Sequence, residues 1–303
     1  MVITSTIFFL FGIVFGSFLN VCIARIPEGL SIISPGSRCP NCLQPIRAYD
    51  NVPLLSWLLL GGKCRNCKAP ISMQYPLVEL LTGVLFVACY LNFGFSLQTF
   101  KWLSFTCLIV VLTVTDLLVR LLPDAVNFFG TGLGLAFAVR VPPRDDFVGQ
   151  LLWRVTSLSP VSPLSGVLSA MLGGLFGSLL LWGAATLYRA VRKREGMGMG
   201  DVKMMAMVGT FLGVRGGFIT ILIGSLLGSI LGLAVVLTMF FAGWKRGVAV
   251  RASRRGIGTV TELRWVIASA YQLPLGTFLG IGALLYVHFD PWISGTIGTT
   301  LHF

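Results

Sequence analysis

Two aspartates stand where an ionised side chain is costly. Asp116 ends the apolar stretch 101–119, and Asp201 begins another one, directly after the glycine-rich run 196–200. A carboxylate at membrane depth is rare unless it is paired or functional. Two carboxylates a few ångströms apart cannot easily both ionise, so that one stays protonated while the other acts as a base. Aspartic proteases activate water in this way, and the two residues are therefore candidate catalytic groups.

Each aspartate also has a structural interpretation. Asp116 could be a buried acid paired with Arg120, four residues later in the same helix. Asp201 could be an N-cap or first-turn acid, a position that a glycine-preceded aspartate suits well. The glycine run lacks the preceding strand and the Gly-Lys-Ser/Thr ending of a nucleotide-binding loop. From the residues alone, a catalytic pair is a hypothesis beside these alternatives.

Further residues near the aspartates are candidates for substrate contact or support. Glycines ahead of Asp201 would let a backbone or a substrate approach closely, and Lys203 could bias the charge of the pair or contact substrate. Asp124 follows a proline, where it would suit an N-cap or first-turn acid of a helix. The supporting candidates are Gly198, Gly200, Lys203, Glu79 and Asp124.

Four cysteines form two Cys-x-x-Cys pairs, which are separated by 21 residues. Each pair can turn both sulfurs to one side of a tight turn, and two such turns complete a tetrahedral four-thiolate zinc site. All four ligands would then be protein atoms, so the metal would be structural and not catalytic. Disulfides are the alternative, and a cytosolic location disfavours them. The expected zinc ligands are Cys39, Cys42, Cys64 and Cys67.

The composition requires lipid as solvent for much of the chain. Of 303 residues, 55% are apolar and only 11% are charged, with a mean hydropathy of +0.86. Soluble domains carry about a quarter charged residues. The net charge of +12 does not indicate nucleic-acid binding, because the Lys and Arg residues are confined to short segments between apolar runs.

The apolar runs predict an all-α polytopic membrane bundle of about eight transmembrane helices. Residues 1–24 form the first helix, which has no basic leader and no cleavage site and is expected to remain. Residues 25–75 form a small cytoplasmic zinc-binding insert, and 76–303 form the remaining bundle. The candidate spans are 3–24, 76–94, 101–119, 124–139, 163–187, 201–214, 217–242 and 265–287.

The distribution of basic residues predicts the orientation. With the N-terminus outward, all but five of the 23 Lys and Arg residues fall in inward segments, as cytoplasmic loops require. Both aspartates then lie near the inner ends of their spans. Residues 140–162 would form an outward loop, and the basic segment 243–262 would lie along the inner membrane surface. The five exceptions are Lys101, Arg140, Arg144, Arg154 and Arg215.

Taken together, the motifs make the sequence resemble the type IV prepilin peptidases, also called leader peptidase/N-methyltransferases. These are membrane aspartic proteases of the Gly-x-Gly-Asp kind, and the likeness runs along most of the chain. The segments that carry it are Gly16-Ser17-Phe18-Leu19-Asn20-Val21, Arg25-Ile26-Pro27, Ser37-Arg38-Cys39-Pro40, Asn51-Val52-Pro53, Ser56-Trp57, Gly62-Lys63-Cys64-Arg65, Ile71-Ser72, Tyr75-Pro76-Leu77-Val78-Glu79, Leu122-Pro123-Asp124, Gly198-Met199-Gly200-Asp201-Val202-Lys203 and Leu273-Pro274-Leu275-Gly276.

The resemblance implies a function and its partners. Asp116 and Asp201 match the family's catalytic aspartates, and the substrates would be prepilin or pseudopilin precursors of a type IV pilus or type II secretion system. Short basic leaders would be cut off at the cytoplasmic face of the bacterial inner membrane. The new terminus would be N-methylated with S-adenosylmethionine, whose site we expect within the inward segment 17–80.

The resemblance also bears on single positions. The family's four-cysteine insert matches the four zinc-ligand candidates. Glu79 would be a first-turn acid of its helix, or else would grip the substrate's new amino group or aid methyl transfer. Leu118 stands where many relatives carry a second acid, and the stretch 140–162 is longer than usual.

Two other classes of function fit parts of the pattern. Paired intramembrane acids also relay protons in ion-coupled transporters, but the zinc insert and the lack of evident inverted repeats disfavour that interpretation. A non-catalytic pilus or secretion assembly protein could keep the same scaffold.

Overall fold

The computed structural model describes residues 2–143, 148–149, 151, 154–155, 162–193, 197–241 and 274–298. Within these ranges the chain forms α-helices and one short 3-10 turn, Ala48–Asp50, and it forms no extended strand. The helices are α1 Val2–Arg25, α2 Leu55–Leu59, α3 Gln74–Phe93, α4 Leu97–Val119, α5 Asp124–Ala138, α6 Pro163–Arg192, α7 Met199–Phe241 and α8 Leu275–Gly298.

The predicted all-α architecture is confirmed for the described residues. Five of their helices are long and apolar enough to cross a membrane, namely α1, α3, α4, α6 and α7. The predicted number of eight spans stays a prediction, since α5 has only 15 residues and the apolar part of α8 covers Leu275–Phe289. Residues 243–262 and most of the expected outward loop lie outside the described residues.

Local sequence signals set several helix ends. The Ser96 side chain accepts a hydrogen bond from Thr99 N at the start of α4, and the Ser162 side chain accepts one from Ser165 N at the start of α6. Such caps satisfy N–H groups that a helix start leaves unpaired. At the other end of α4, Arg120 adopts left-handed φ/ψ angles and terminates the helix just after Asp116.

α7 is interrupted at Gly213, whose φ of 77° and ψ of −173° are not helical. This region of φ/ψ space is essentially open only to glycine. The break divides the apolar run close to the place where the sequence predicts two segments, 201–214 and 217–242. The part that carries Asp201 is therefore a short helix of its own.

Glycines let helix pairs approach closely. A Cβ atom on Gly12 would lie 2.7 Å from Gly83 Cα, so that α1 packs directly on α3. A Cβ atom on Gly173 would clash with Gly209 O, which places α6 directly against the first half of α7. Spacing of small residues along these helices predicts such contacts, and the contacts hold the Asp201 helix in the bundle.

The best-buried side chains lie between α4 and the first half of α7. Phe105, Ile109 and Leu112 of α4 are fully buried, as are Met204 and Phe211 of α7. The rings of Phe105 and Phe211 pack with their centroids 4.9 Å apart. This contact fixes the two helices that carry the aspartates against each other.

Candidate active site

The structure brings Asp116 and Asp201 together. Asp116 lies near the C-terminal end of α4, and Asp201 lies in the first turn of α7. Both side chains are buried, with residue exposures of 6% and 8%, and their carboxyl groups are close enough for their charges to interact. Two acids that are 85 positions apart in the chain thus share one low-dielectric site.

Thr277, at the start of α8, holds Asp116 in place. Its backbone N–H donates to Asp116 Oδ2 at 2.6 Å, and its hydroxyl donates to the same oxygen at 3.0 Å. The hydroxyl also lies 3.2 Å from Thr113 O. The carboxylate therefore caps the N-terminus of α8, where unpaired N–H groups favour a negative charge. Arg120, the alternative partner, contributes only a longer-range charge.

Asp201 occupies the first-turn position that its structural interpretation predicts. Its backbone N–H donates to Gly198 O at 3.3 Å, and the Gly198 backbone N–H is near its carboxyl group. A Cβ atom on Gly200 would lie 3.0 Å from Leu122 Cβ. The glycine thus lets the start of α7 approach the segment that follows Asp116.

Lys203 and Asp124 pair with each other beside the two catalytic candidates. Lys203 Nζ lies 2.6 Å from Asp124 Oδ2, with side-chain exposures of 33% and 55%. Asp124 is in the first turn of α5, as predicted. Because exposed ion pairs contribute little to stability, the contact mainly orients the start of α7 relative to α5.

Glu79 joins the insert to the bundle. It lies in the second turn of α3, and the first turn contains no acid, so its expected first-turn position is wrong. Its Oε2 accepts a hydrogen bond of 2.7 Å from the backbone N–H of Leu54, and Ser17 of α1 also bonds to its side chain. Leu54 has a φ of 60° and a ψ of −52°, which corresponds to a strained γ-turn.

The four predicted zinc ligands converge in the insert. The sulfurs of Cys39, Cys42, Cys64 and Cys67 lie within 4.8 Å of one another, and Cys39 Sγ and Cys67 Sγ are 3.7 Å apart. All seven cysteines are described and none forms a disulfide. Sulfur atoms in a tetrahedral zinc site are separated by roughly 3.8 Å, so the arrangement fits a four-thiolate metal.

The two Cys-x-x-Cys turns have the same backbone structure. Cys39 N donates to Gln44 O and Leu43 N to Cys39 O, just as Cys64 N donates to Ala69 O and Lys68 N to Cys64 O. Leu43 and Lys68 both have a positive φ, near 60°. The sequence spacing predicts two equivalent turns of this kind.

The charges in the cluster also suit a divalent cation. The backbone N–H of Ala69 and the side chain of Asn41 lower the pKa of Cys67 to about 6. The pKa of Cys42 is raised to about 11 although the Gln44 backbone N–H opposes this, because burial and the other cysteines disfavour a further negative charge. A metal that neutralises several thiolates removes this conflict.

Sequence reasoning missed the roles of Thr277 and Leu54. The signal for Thr277 was available, since Pro274 precedes a helix start whose free N–H groups need an acceptor. The Leu54 N–H contact has no sequence signal, because a γ-turn at leucine follows from no residue preference. Neither residue contains an unusual functional group.

Comparisons with known proteins agree over both parts of the chain. A model of the bacterial peptidase A24 N-terminal domain matches residues 10–93. A model of the type IV leader peptidase family matches residues 103–233, which include both aspartates. No solved structure matches the chain.

Several curated proteins named prepilin leader peptidase/N-methyltransferase are similar to the chain. The protein of Aeromonas hydrophila is 35% identical over 253 residues, covering 76% of this chain and 80% of the relative. That of Pseudomonas aeruginosa is 34% identical over 250 residues, covering 75% and 79%. That of Bacillus subtilis is 34% identical over 233 residues, covering 77% and 84%.

Proposed function

This chain belongs to the type IV leader peptidase family, and we propose that it is a membrane aspartic endopeptidase that removes the leader from prepilin-like precursors. The observation that carries this proposal is the buried pair of carboxyl groups at Asp116 and Asp201. The distribution of basic residues supports a cytoplasmic location for the pair, with the N-terminus of the chain outward.

In the proposed mechanism Asp116 is the base. The two Thr277 donors stabilise a negative charge on Asp116 Oδ2, which leaves Oδ1 to hold the attacking water. Asp116 takes a proton from that water while the water oxygen attacks the scissile carbonyl carbon. Asp201, in its protonated form, donates a hydrogen bond to the carbonyl oxygen, as the second acid of an aspartic protease pair does. Asp116 then passes the proton it took from the water to the leaving amine as the C–N bond breaks.

The relatives' shared name supports a second activity. In this proposal the chain transfers a methyl group to the newly exposed amino terminus, and S-adenosylmethionine is the donor. Glu79 and the insert are the parts of the inward segment 17–80 that would support this step, since the Glu79 carboxylate organises the backbone at Leu54.

A structural zinc ion would be held by Cys39, Cys42, Cys64 and Cys67, whose sulfurs converge without a fifth ligand atom in the group. When bound, zinc contributes folding energy and no catalytic water, because four thiolates close its coordination shell. The metal would keep the two cysteine turns of the insert together.

The peptidase proposal is tested by single replacement of the two acids. Asp116→Asn and Asp201→Asn should each lower the cleavage rate of a pilin-type precursor by at least about 100-fold, the range for loss of a general acid or base. The rate is measured by the appearance of the mature protein in membranes. Glu28→Gln, at an exposed acid just after α1, serves as the control and should retain most of the activity. Unimpaired cleavage by either catalytic variant would contradict this mechanism, and a wild-type chain that cleaves no precursor would favour the transporter or assembly alternatives.

A further inference from the structure

A cavity lies between α3, α4 and α8 on the lipid-facing side of the bundle. It has a volume of about 390 Å³. Its apolar lining includes Leu85 and Ala88 of α3, Val110 and Val114 of α4, and Leu284 of α8. Several residues at its edge are substantially exposed, as is typical of a groove that opens toward lipid: Leu81, Ile281 and Phe289.

The inner end of the groove lies near Asp116. Thr113 lines its inner end, and Thr113 lies one helical turn before Asp116. Its carbonyl oxygen contacts the hydroxyl of Thr277, which also donates to Asp116. A chain segment seated in the groove would therefore end about one helical turn from Asp116.

The outer end of the groove contains a polar side chain, His288, in an otherwise apolar lining. His288 lines the cavity, and neither of its ring nitrogens has a hydrogen-bond partner in the part of the chain that the structure describes. An unpaired buried polar group costs about 1–3 kcal/mol. An acyl chain supplies no partner for it, whereas a polypeptide segment with a polar side chain does.

The dimensions of the groove fit one face of a helix. From Ile281 to Phe289 it follows α8 for roughly 12 Å, at 1.5 Å per residue. The groove can thus accept a row of side chains from a helix whose other face remains in lipid.

We infer that this groove binds the apolar transmembrane helix of the precursor, on the C-terminal side of the scissile bond. The inference rests on the proposed peptidase function. A precursor that is cut at the inner ends of the spans and continues as an apolar helix would run outward through the membrane, along the direction that the groove takes from Thr113 to His288. The precursor helix would pack there as an additional span.

Comparing two substrates distinguishes binding in the groove from the cleavage reaction itself. Ala88→Trp should fill the groove and lower kcat/KM by at least ten-fold for the membrane-embedded precursor. It should leave cleavage of a short water-soluble peptide, which spans the scissile bond without the apolar segment, unchanged. Leu226→Trp, at an exposed position on the second half of α7, is the matched control and should change neither rate. Equal rates for Ala88→Trp and the wild type on both substrates, or an equal loss on both, would overturn the inference.

Crosslinking provides a test that does not depend on how Ala88→Trp folds. A photoreactive side chain at Leu85 should crosslink to the precursor in membranes, and one at Leu226 should not. Adducts at Leu85 with lipid alone would overturn the inference in favour of an acyl chain as the occupant. If the wild type cleaves neither substrate, the proposed function itself fails. If it cleaves both, but Ala88→Trp changes neither rate and Leu85 gives no crosslink to the precursor, only the docking inference fails.

Discussion

The oxygen Oδ2 of Asp116 has two donors, and both come from Thr277. A residue without acid–base chemistry thus determines how one member of the pair is oriented. The backbone N–H would remain in any substitution other than proline, whereas the hydroxyl can be removed by itself. This separation makes Thr277 a sensitive probe of the proposed mechanism.

We expect Thr277→Val to lower kcat for precursor cleavage by roughly ten-fold, because a hydrogen bond to a charged group contributes about 1.5–3 kcal/mol and the N–H partly compensates. Thr277→Ser keeps the hydroxyl and should stay close to the wild-type rate. The comparison is made by initial rates at saturating precursor. Similar values for the valine and serine variants would show that the hydroxyl does not support the reaction.

Glu79 acts between elements, because its carboxylate on α3 holds the backbone N–H of Leu54 in the insert. Glu79→Ala should destabilise the insert by about 1–3 kcal/mol, the cost of an unpaired buried donor. Glu79→Gln retains an acceptor oxygen and should be affected less. Limited proteolysis of the insert in membranes measures the difference, and equal cleavage rates for the two variants would show that the hydrogen bond is unimportant.

At the same scale, Gly213 allows α7 to consist of two helices. Gly213→Ala should destabilise the protein by about 1–3 kcal/mol, because alanine does not tolerate its backbone conformation. The matched control is Gly217→Ala, where a Cβ atom would meet no atom closer than 3.9 Å. Thermal unfolding in detergent should show a lower midpoint for the first variant only. An unfolding midpoint like that of the wild type would mean that residue 213 can adopt helical angles without a loss of stability.

For the whole molecule, the insert and the bundle should respond differently to metal removal. We expect about one zinc per chain by metal analysis, as a closed four-thiolate site requires. A strong chelator, or Cys67→Ser, should expose the insert to protease while the helical circular dichroism of the bundle is retained. Cys89→Ser, at a buried cysteine in α3 outside the cluster, is the control. Retained protection of the metal-free insert would exclude a structural role for zinc.

A structural feature of this molecule could be predicted from the sequence when it depends on residues that are close together in the chain. The apolar runs predicted the helices, and the cysteine spacing predicted a cluster, because both depend on residues close in sequence. The cost of burying a carboxylate drew attention to Asp116 and Asp201, although it could not show that they meet. Their meeting depends on contacts such as Phe105 with Phe211. Side-chain packing between helices leaves no local pattern that would reveal it.

The contact between Asp116 and Thr277 has a consequence for biosynthesis. Synthesis runs from the N-terminus, so a nascent chain inserted as far as Phe241 already contains both acids. It lacks α8, and with it the donors that orient Asp116. The peptidase would therefore become competent only when α8 has entered the membrane, and an incomplete chain would not cleave its substrates.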